Sequence, residues 1–280
     1  MISLALTILL TVVLFLGFKE FTKRNINTHQ AITFNYLTAS ILGFLIYNNP
    51  IPISEVLSSE WLYPTITLGI FFVIMFNVMA DTTQKLGISI ASMASKISLV
   101  IPVFAALLLQ ENTNFSWING FGILFALIAV YFTFKKEEKL KHPITIAIIL
   151  FLGAGILDMS LNYIQEVYLQ TQSDFSKFII VIFFIAFSVG LVKIIFDSRK
   201  IELKNVIAGI LLGIPNYFSI YFVLGALEEL GGIIVFSVLN IGVVLLSSII
   251  SFILYKVHLI RLNWIGITLS CVSIILILVF

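Results

Sequence analysis

Two ionisable side chains stand where an apolar chain tolerates them least. Lys96 lies eight residues into the apolar run that opens at Ile88, and Asp158 lies inside another run near 144–165. A charged group at mid-bilayer costs about 2.5–3.5 kcal/mol on insertion scales, so it marks a cavity, a partner or a pathway sooner than a face turned to lipid. The chemistry open to Lys96 is to grip an anionic group of a solute or to exchange a proton. Its structural alternative is an ion pair, or a carbonyl cap inside a helix bundle. Asp158, a carboxylate in a low-dielectric setting, is a candidate proton-coupling site. Its structural alternative is to neutralise Lys96.

Neutral polar residues gather around both. Ser89, Ser92 and Lys96 fall at i, i+3 and i+7, one narrow face of a helix. Asp158, Asn162 and Gln165 make a stripe at nearly helical spacing, with Tyr163 and Glu166 beside it. Such a stripe is expensive against lipid and is expected to line a wet cavity. Asn77, the pair Asn216 and Tyr217 after Pro215, and Asn240 complete the candidate solute-binding set. For each amide, gluing of helices worth about 0.6–2 kcal/mol is the rival explanation. Asp81, four residues before Lys85, reads as an interfacial ion pair.

The elements that must position these residues follow from composition. Of the 280 residues 60% are hydrophobic and 11% charged, where a soluble domain carries about 25% charge. Lipid must be the solvent, and the backbone must then satisfy itself within helices or a closed barrel. The runs are continuous and not alternating, which selects helices. Ten stretches meet or approach the roughly 20 residues needed to cross about 30 Å of hydrocarbon: near 2–18, 31–47, 62–80, 88–109, 116–134, 144–165, 175–196, 204–226, 231–255 and 262–280. Little chain remains for a soluble catalytic domain. The first run lacks a basic n-region and a small-residue cleavage site, so it reads as a helix and not a signal peptide.

Charge placement sets orientation. All of the 16 Lys and Arg residues except Lys96 and Lys177 fall in every second gap between the runs. The intervening gaps hold Glu55, Glu60, Glu111, Glu166, Asp174, Glu228 and Glu229, with Lys177 as their one cation. This is the positive-inside pattern of a chain that threads a bilayer repeatedly, and it puts both termini outside. No phosphate-cradling Gly-rich loop, metal-ligand spacing or Ser–His–acid set is present. His29, His142 and His258 all sit in basic gaps.

The chain also reads as one plan written twice. Leu86-Gly87-Ile88 and Leu230-Gly231-Gly232-Ile233 each open a helix rich in small residues, and Trp117-Ile118-Asn119-Gly120 and Trp264-Ile265-Gly266 each open a last apolar helix. Residues 1–136 and 143–280 are then two five-helix repeats, and an odd number of spans inverts the second against the first. Counted from the shared Leu-Gly, Asn240 holds the place of Lys96.

These residues carry a resemblance. Leu86-Gly87-Ile88-Ser89-Ile90-Ala91-Ser92, then Leu99-Val100-Ile101-Pro102-Val103-Phe104, Glu111, Gly120 and Gly122 resemble the repeat of the EamA-type drug/metabolite transporters. The second copy has Leu246 in place of the proline and Tyr255-Lys256 in place of the acid. The resemblance implies an all-α integral membrane protein with ten transmembrane helices in two inverted five-helix repeats, and export of amino acids or other metabolites. The expectation is a secondary transporter of a small, anionic or amino-acid-like solute working by alternating access, with proton coupling through Asp158. It is not an enzyme, uses no cofactor or metal, and partners only its solute, protons and the bilayer of a bacterial inner membrane, with no nucleic acid. An integral membrane enzyme would need acid, base or metal ligands clustered at one interface. A non-transporting helical subunit would need no deep lysine.

Overall fold

The computed structural model describes residues 1–47, 49–102, 117–134, 144–169, 171–197, 200–230, 232–256 and 260–279. Their regular secondary structure is entirely helical: α1 (Ile2–Lys23), α2 (Thr28–Tyr47), α3 (Ile53–Ser58), α4 (Leu62–Leu86), α5 (Ile88–Ile97), α6 (Trp117–Phe134), α7 (Thr145–Tyr168), α8 (Gln172–Phe196), α9 (Leu203–Leu230), α10 (Gly232–Tyr255) and α11 (Arg261–Val279). Each apolar stretch foreseen above overlaps one of these helices, although residues 98–102 of the stretch near 88–109 lie beyond the end of α5. The expected joint at 135–143 and the segment 103–116 with Glu111 lie outside the described residues, as do His142 and His258.

Among the described residues seven helices, α1, α2, α4, α7, α8, α9 and α10, are long and apolar enough to cross a membrane, and α5 and α11 are shorter apolar helices. Large apolar side chains cover their outer surfaces; Phe44, Ile149, Phe184 and Phe252 are all about half exposed or more. A soluble monomer rarely presents so much contiguous apolar surface, whereas hydrocarbon accepts it. The chain is a multi-pass helical membrane protein.

Local sequence explains where the helices start and stop. After α1, Ile26 N–H reaches Phe21 C=O (2.9 Å) and Asn25 N–H reaches Thr22 C=O (3.4 Å). Asn25 takes φ +51°, the left-handed position that Asn tolerates at a Schellman stop. Two residues on, Asn27 Oδ1 accepts from Gln30 N–H at 3.1 Å and caps α2. Thr171 starts α8 in the same way, accepting from Asp174 N–H (3.1 Å). Between α4 and α5 the turn is Gly87 at φ +104°, with open space around an added Cβ; backbone conformation and not crowding demands glycine there.

The short helix α3 is unforeseen. It occupies the acidic gap, follows Pro52 and carries Glu55 in its first turn, where the positive end of the helix dipole favours an anion. Glu55 also forms an ion pair with Lys177 of α8. The one cation on the acidic face is thereby accounted for. On the basic face, Lys85 meets Asp81 at 2.7 Å, the pair expected from spacing.

The chain divides into two compact units. Unit 1 comprises Met1–Lys19, Val78–Ile156 and Ser219–Phe280, and unit 2 comprises Glu20–Asn77 and Leu157–Phe218. Neither unit coincides with a half of the sequence, because each combines helices from both. In unit 1, α6 lies along α11, tied by Asn263 Nδ2 to Phe132 C=O (3.2 Å) and Ser273 Oγ to Gly122 C=O (2.7 Å), and α5 lies on α10. In unit 2, α2 lies along α8, with Tyr36 stacked near Phe183 at 5.9 Å between ring centres.

Candidate functional site

In unit 1, Lys96 and Asn240 lie on α5 and α10, two helices that pack together. α5 and α10 meet through two hydroxyl pairs, Ser89 with Ser248 (2.9 Å) and Ser92 with Ser247 (2.5 Å). Ascending numbers on one helix meet descending numbers on the other, so the helices run antiparallel at the seam. Lys96 follows Ser92 by one turn, about 6 Å along α5, and Asn240 precedes Ser247 by about 10 Å along α10. Both therefore lie beyond the serine pairs in the same direction. Lys96 is half-buried and Asn240 is buried. Next to them, Met93, Ile97 and Val100 pack with Val244, Ala129 and Ile267, which walls the seam with apolar side chains.

Lys96 also stands at a break in its helix. It occupies the last turn of α5, which stops at Ile97, and helical turns resume only at 100–102. The cause is Pro102, which has no N–H to offer the carbonyl four residues back. That carbonyl, of Ser98, accepts instead from Ile101 N–H at 2.9 Å, a tighter turn. Ser98 Oγ donates to Ser95 C=O at 2.6 Å. A cation in the final turn sits at the negative end of the helix dipole, a favourable place for it. The ammonium and the break together form a polar point within an apolar element.

In unit 2 the candidate residues divide by helix. On α7, Asp158 is half-buried while Asn162, Tyr163 and Gln165 are exposed, so the stripe opens outward along the helix. Tyr163 packs edge-on to Tyr168 at 6.4 Å. On α9, Asn216 and Tyr217 are both buried just past Pro215. A Cβ added at Gly43 of α2 would meet Tyr217 at 3.2 Å, which places the phenol ring against α2. On α4, Asn77 donates from Nδ2 to Val73 C=O of its own helix at 2.7 Å, and its side chain lies beside His29.

The polar face of α2 was missed by sequence reading. Gln30, Thr33, Asn35, Tyr36 and Ser40 are all buried. Gln30 Oε1 accepts from Asn205 Nδ2 (2.8 Å), Tyr36 donates to Phe72 C=O (3.0 Å) and Ser40 to Ile180 C=O (3.1 Å). Asn35 is completely buried, and neither of its amide atoms meets a partner among the described residues. Its helix backs closely onto α9: a Cβ at Gly209 would come within 2.6 Å of Ala31 O, and one at Gly213 within 2.7 Å of Asn35 O. The available signal was that α2 is the least apolar of the seven long helices, yet it contains no Asp, Glu, Lys or Arg to draw attention. His29, assigned above to a basic gap, lies in the first turn of α2 with both ring nitrogens shielded from solvent.

No family model matches the chain. An uncharacterised protein of Haemophilus influenzae is 27% identical over 279 residues, covering 96% of this chain and 94% of that protein. A chain of known crystal structure matches over 98% of this chain and 94% of its own length, with a TM-score of 0.59 and 13% sequence identity. At that identity the likeness is one of fold.

Proposed function

We propose that this protein is a secondary transporter of a small solute, built as ten membrane spans in two inverted five-helix repeats and related to the EamA-type drug/metabolite transporters. The observation that carries the reading is Lys96, an ionisable side chain in the last turn of an apolar helix that breaks directly after it. Interrupted helices whose ends face a midplane site are how transporters bind ions and charged solutes inside a membrane. In this reading Lys96 grips an anionic group of a metabolite or amino-acid-like solute and Asp158 couples binding to a proton. Asn77, Asn162, Tyr163, Asn216, Tyr217 and Asn240 supply hydrogen bonds.

The duplication draws support from packing. Numbering the proposed spans one to five in each half, α2 and α8 are the two second spans, α5 and α10 the two fourth spans, and α6 and α11 the two fifth spans; each of these pairs packs together. The four helices split between the compact units, α1, α4, α7 and α9, are the first and third spans of each half. Charge placement puts the basic gaps in the cytoplasm and both termini outside. The bacterial source of the similar Haemophilus protein fits an inner-membrane location.

The test is flux. Purified protein in liposomes should move a labelled metabolite or amino acid down a proton or solute gradient. Lys96→Ala should lower the rate about tenfold or more, since a group kept at an insertion cost of about 2.5–3.5 kcal/mol is kept for its interactions. Full flux in Lys96→Ala, or none from the wild type across a broad solute panel, overturns the reading.

A further inference from the structure

A second polar site lies within unit 2, where α2 begins and α8 ends. A pocket of about 240 Å³ there is lined by Asn27, His29, Gln30, Lys193, Ile194 and Asp197. This is smaller than the roughly 300–1,000 Å³ of a drug-sized ligand site, and suits a headgroup. Gln30 is committed to the protein: its Nε2 donates to Lys200 C=O (3.0 Å) and its Oε1 accepts from Asn205. Asn27 uses its Oδ1 to cap α2 and donates its own backbone N–H to Asn205 Oδ1 (2.9 Å). These bonds make a rigid floor.

The remaining groups are unspent. Lys193 and Asp197 stand one helical turn apart, a spacing at which Lys85 and Asp81 do pair. Among the described residues they form no ion pair, with each other or with any neighbour. Neither ring nitrogen of His29 meets a partner at hydrogen-bonding geometry, although the Asn77 side chain and the Gly190 backbone lie near the ring. The pocket thus offers an ammonium and a carboxylate beside a buried imidazole, which complement a ligand bearing both charges.

The rim says what the rest of that ligand is. Successive residues of a helix turn by about 100°, which sets Val192 and Phe196 directly beside Lys193. Both are strongly exposed, Phe196 at 82%, and Leu203 at the start of α9 is 73% exposed. A soluble zwitterion has no use for such a rim, whereas acyl chains do. We propose that this pocket binds the headgroup of a zwitterionic phospholipid of the phosphoethanolamine class, with Lys193 on the phosphodiester, Asp197 on the ammonium, and the acyl chains against Val192 and Phe196.

The experiment uses the full chain in detergent micelles, with lipid retention read by native mass spectrometry and folding by thermal unfolding. The probes are dioleoyl phosphatidylethanolamine, phosphatidylglycerol, phosphatidylcholine and water-soluble glycerophosphoethanolamine. One phosphatidylethanolamine per chain should be retained in preference to the other two lipids. Lys193→Gln should reduce retention about fivefold, the effect of one basic contact at a membrane surface. Asp197→Asn should erase the advantage over phosphatidylglycerol. Both side chains are exposed, so neither variant should alter the unfolding temperature of the lipid-free protein. Equal retention of the three lipids, or unchanged retention in both variants, overturns the proposal. Stabilisation by glycerophosphoethanolamine as strong as by the lipid overturns the lipid as its source. Retention in micelles requires no flux: a protein that holds the lipid but moves no solute leaves this site standing and removes the transport reading instead.

Discussion

The α5–α10 seam of unit 1 and the α2 face of unit 2 place the same kind of residue, short and polar, inside apolar helices, and they treat it differently. In the seam, hydroxyl meets hydroxyl, and one serine of each helix also turns back to its own backbone: Ser92 Oγ reaches Ser89 C=O at 3.0 Å and Ser247 Oγ reaches Val244 C=O at 3.2 Å. On α2 the threonines do likewise, Thr33 to His29 C=O and Thr38 to Phe34 C=O, both at 2.9 Å. Asn35 and His29 do not. A hydroxyl has one proton and a flexible rotor, so the carbonyl one turn back suffices. An amide carries two donors and an acceptor, and an imidazole two ring nitrogens in a fixed plane; a helix alone cannot serve them. Buried amides and imidazoles are therefore the sharper markers of a place where something else must bind, and buried serines the weaker ones.

Substitutions can break that contrast, beginning with the largest effect. Gly213→Val drives a side chain into Asn35 O and Thr38 of α2 and should cost about 1–3 kcal/mol of thermal stability; an unchanged unfolding temperature would mean that α2 and α9 are not in close contact. Gln30→Leu strands the Asn205 amide and the Lys200 carbonyl, and a loss of about 2 kcal/mol in the same measurement is expected. Asn35→Leu should go the other way. Removing an amide with no partner is expected to be neutral or stabilising by about 1 kcal/mol, and a clear loss would reveal that Asn35 holds a water or ligand in the working protein. Ser92→Ala leaves Ser247 its bond to Val244 and should cost only about 0.6 kcal/mol; a cost several times larger would end the distinction between hydroxyls and amides. Gly225→Ala meets nothing nearer than Ser3 Oγ at 3.9 Å among the described residues and should change stability by less than about 0.5 kcal/mol.

Much of the fold was legible before any coordinates. Run length and missing charge identify a helical membrane protein because lipid permits few other backbones. The helix limits were less plain: Asn25, Asn27 and Thr171 act on their immediate neighbours, but the apolar runs alone stop short of the ends at Lys23, Leu86 and Leu230. Gly87 was visible as a motif, though the reason for it, a positive φ, was not. Sequence reading singled out candidate residues chiefly where charge made them conspicuous, as at Lys96 and Asp158. Asn35 and the Gln30–Asn205 bond escaped because neutral polar residues are common in membrane helices, and nothing local says which will face a partner.

Span lengths, charge alternation and end signals depend on stretches of a few to about twenty residues, and these the linear order of amino acids determined alone. Which serines meet across α5 and α10, and why Lys193 and Asp197 remain apart, were decided by tertiary structure. Each depends on helices distant in sequence, or on a side chain's choice between its own carbonyl and a neighbour, and burial settles that choice only once the bundle has closed.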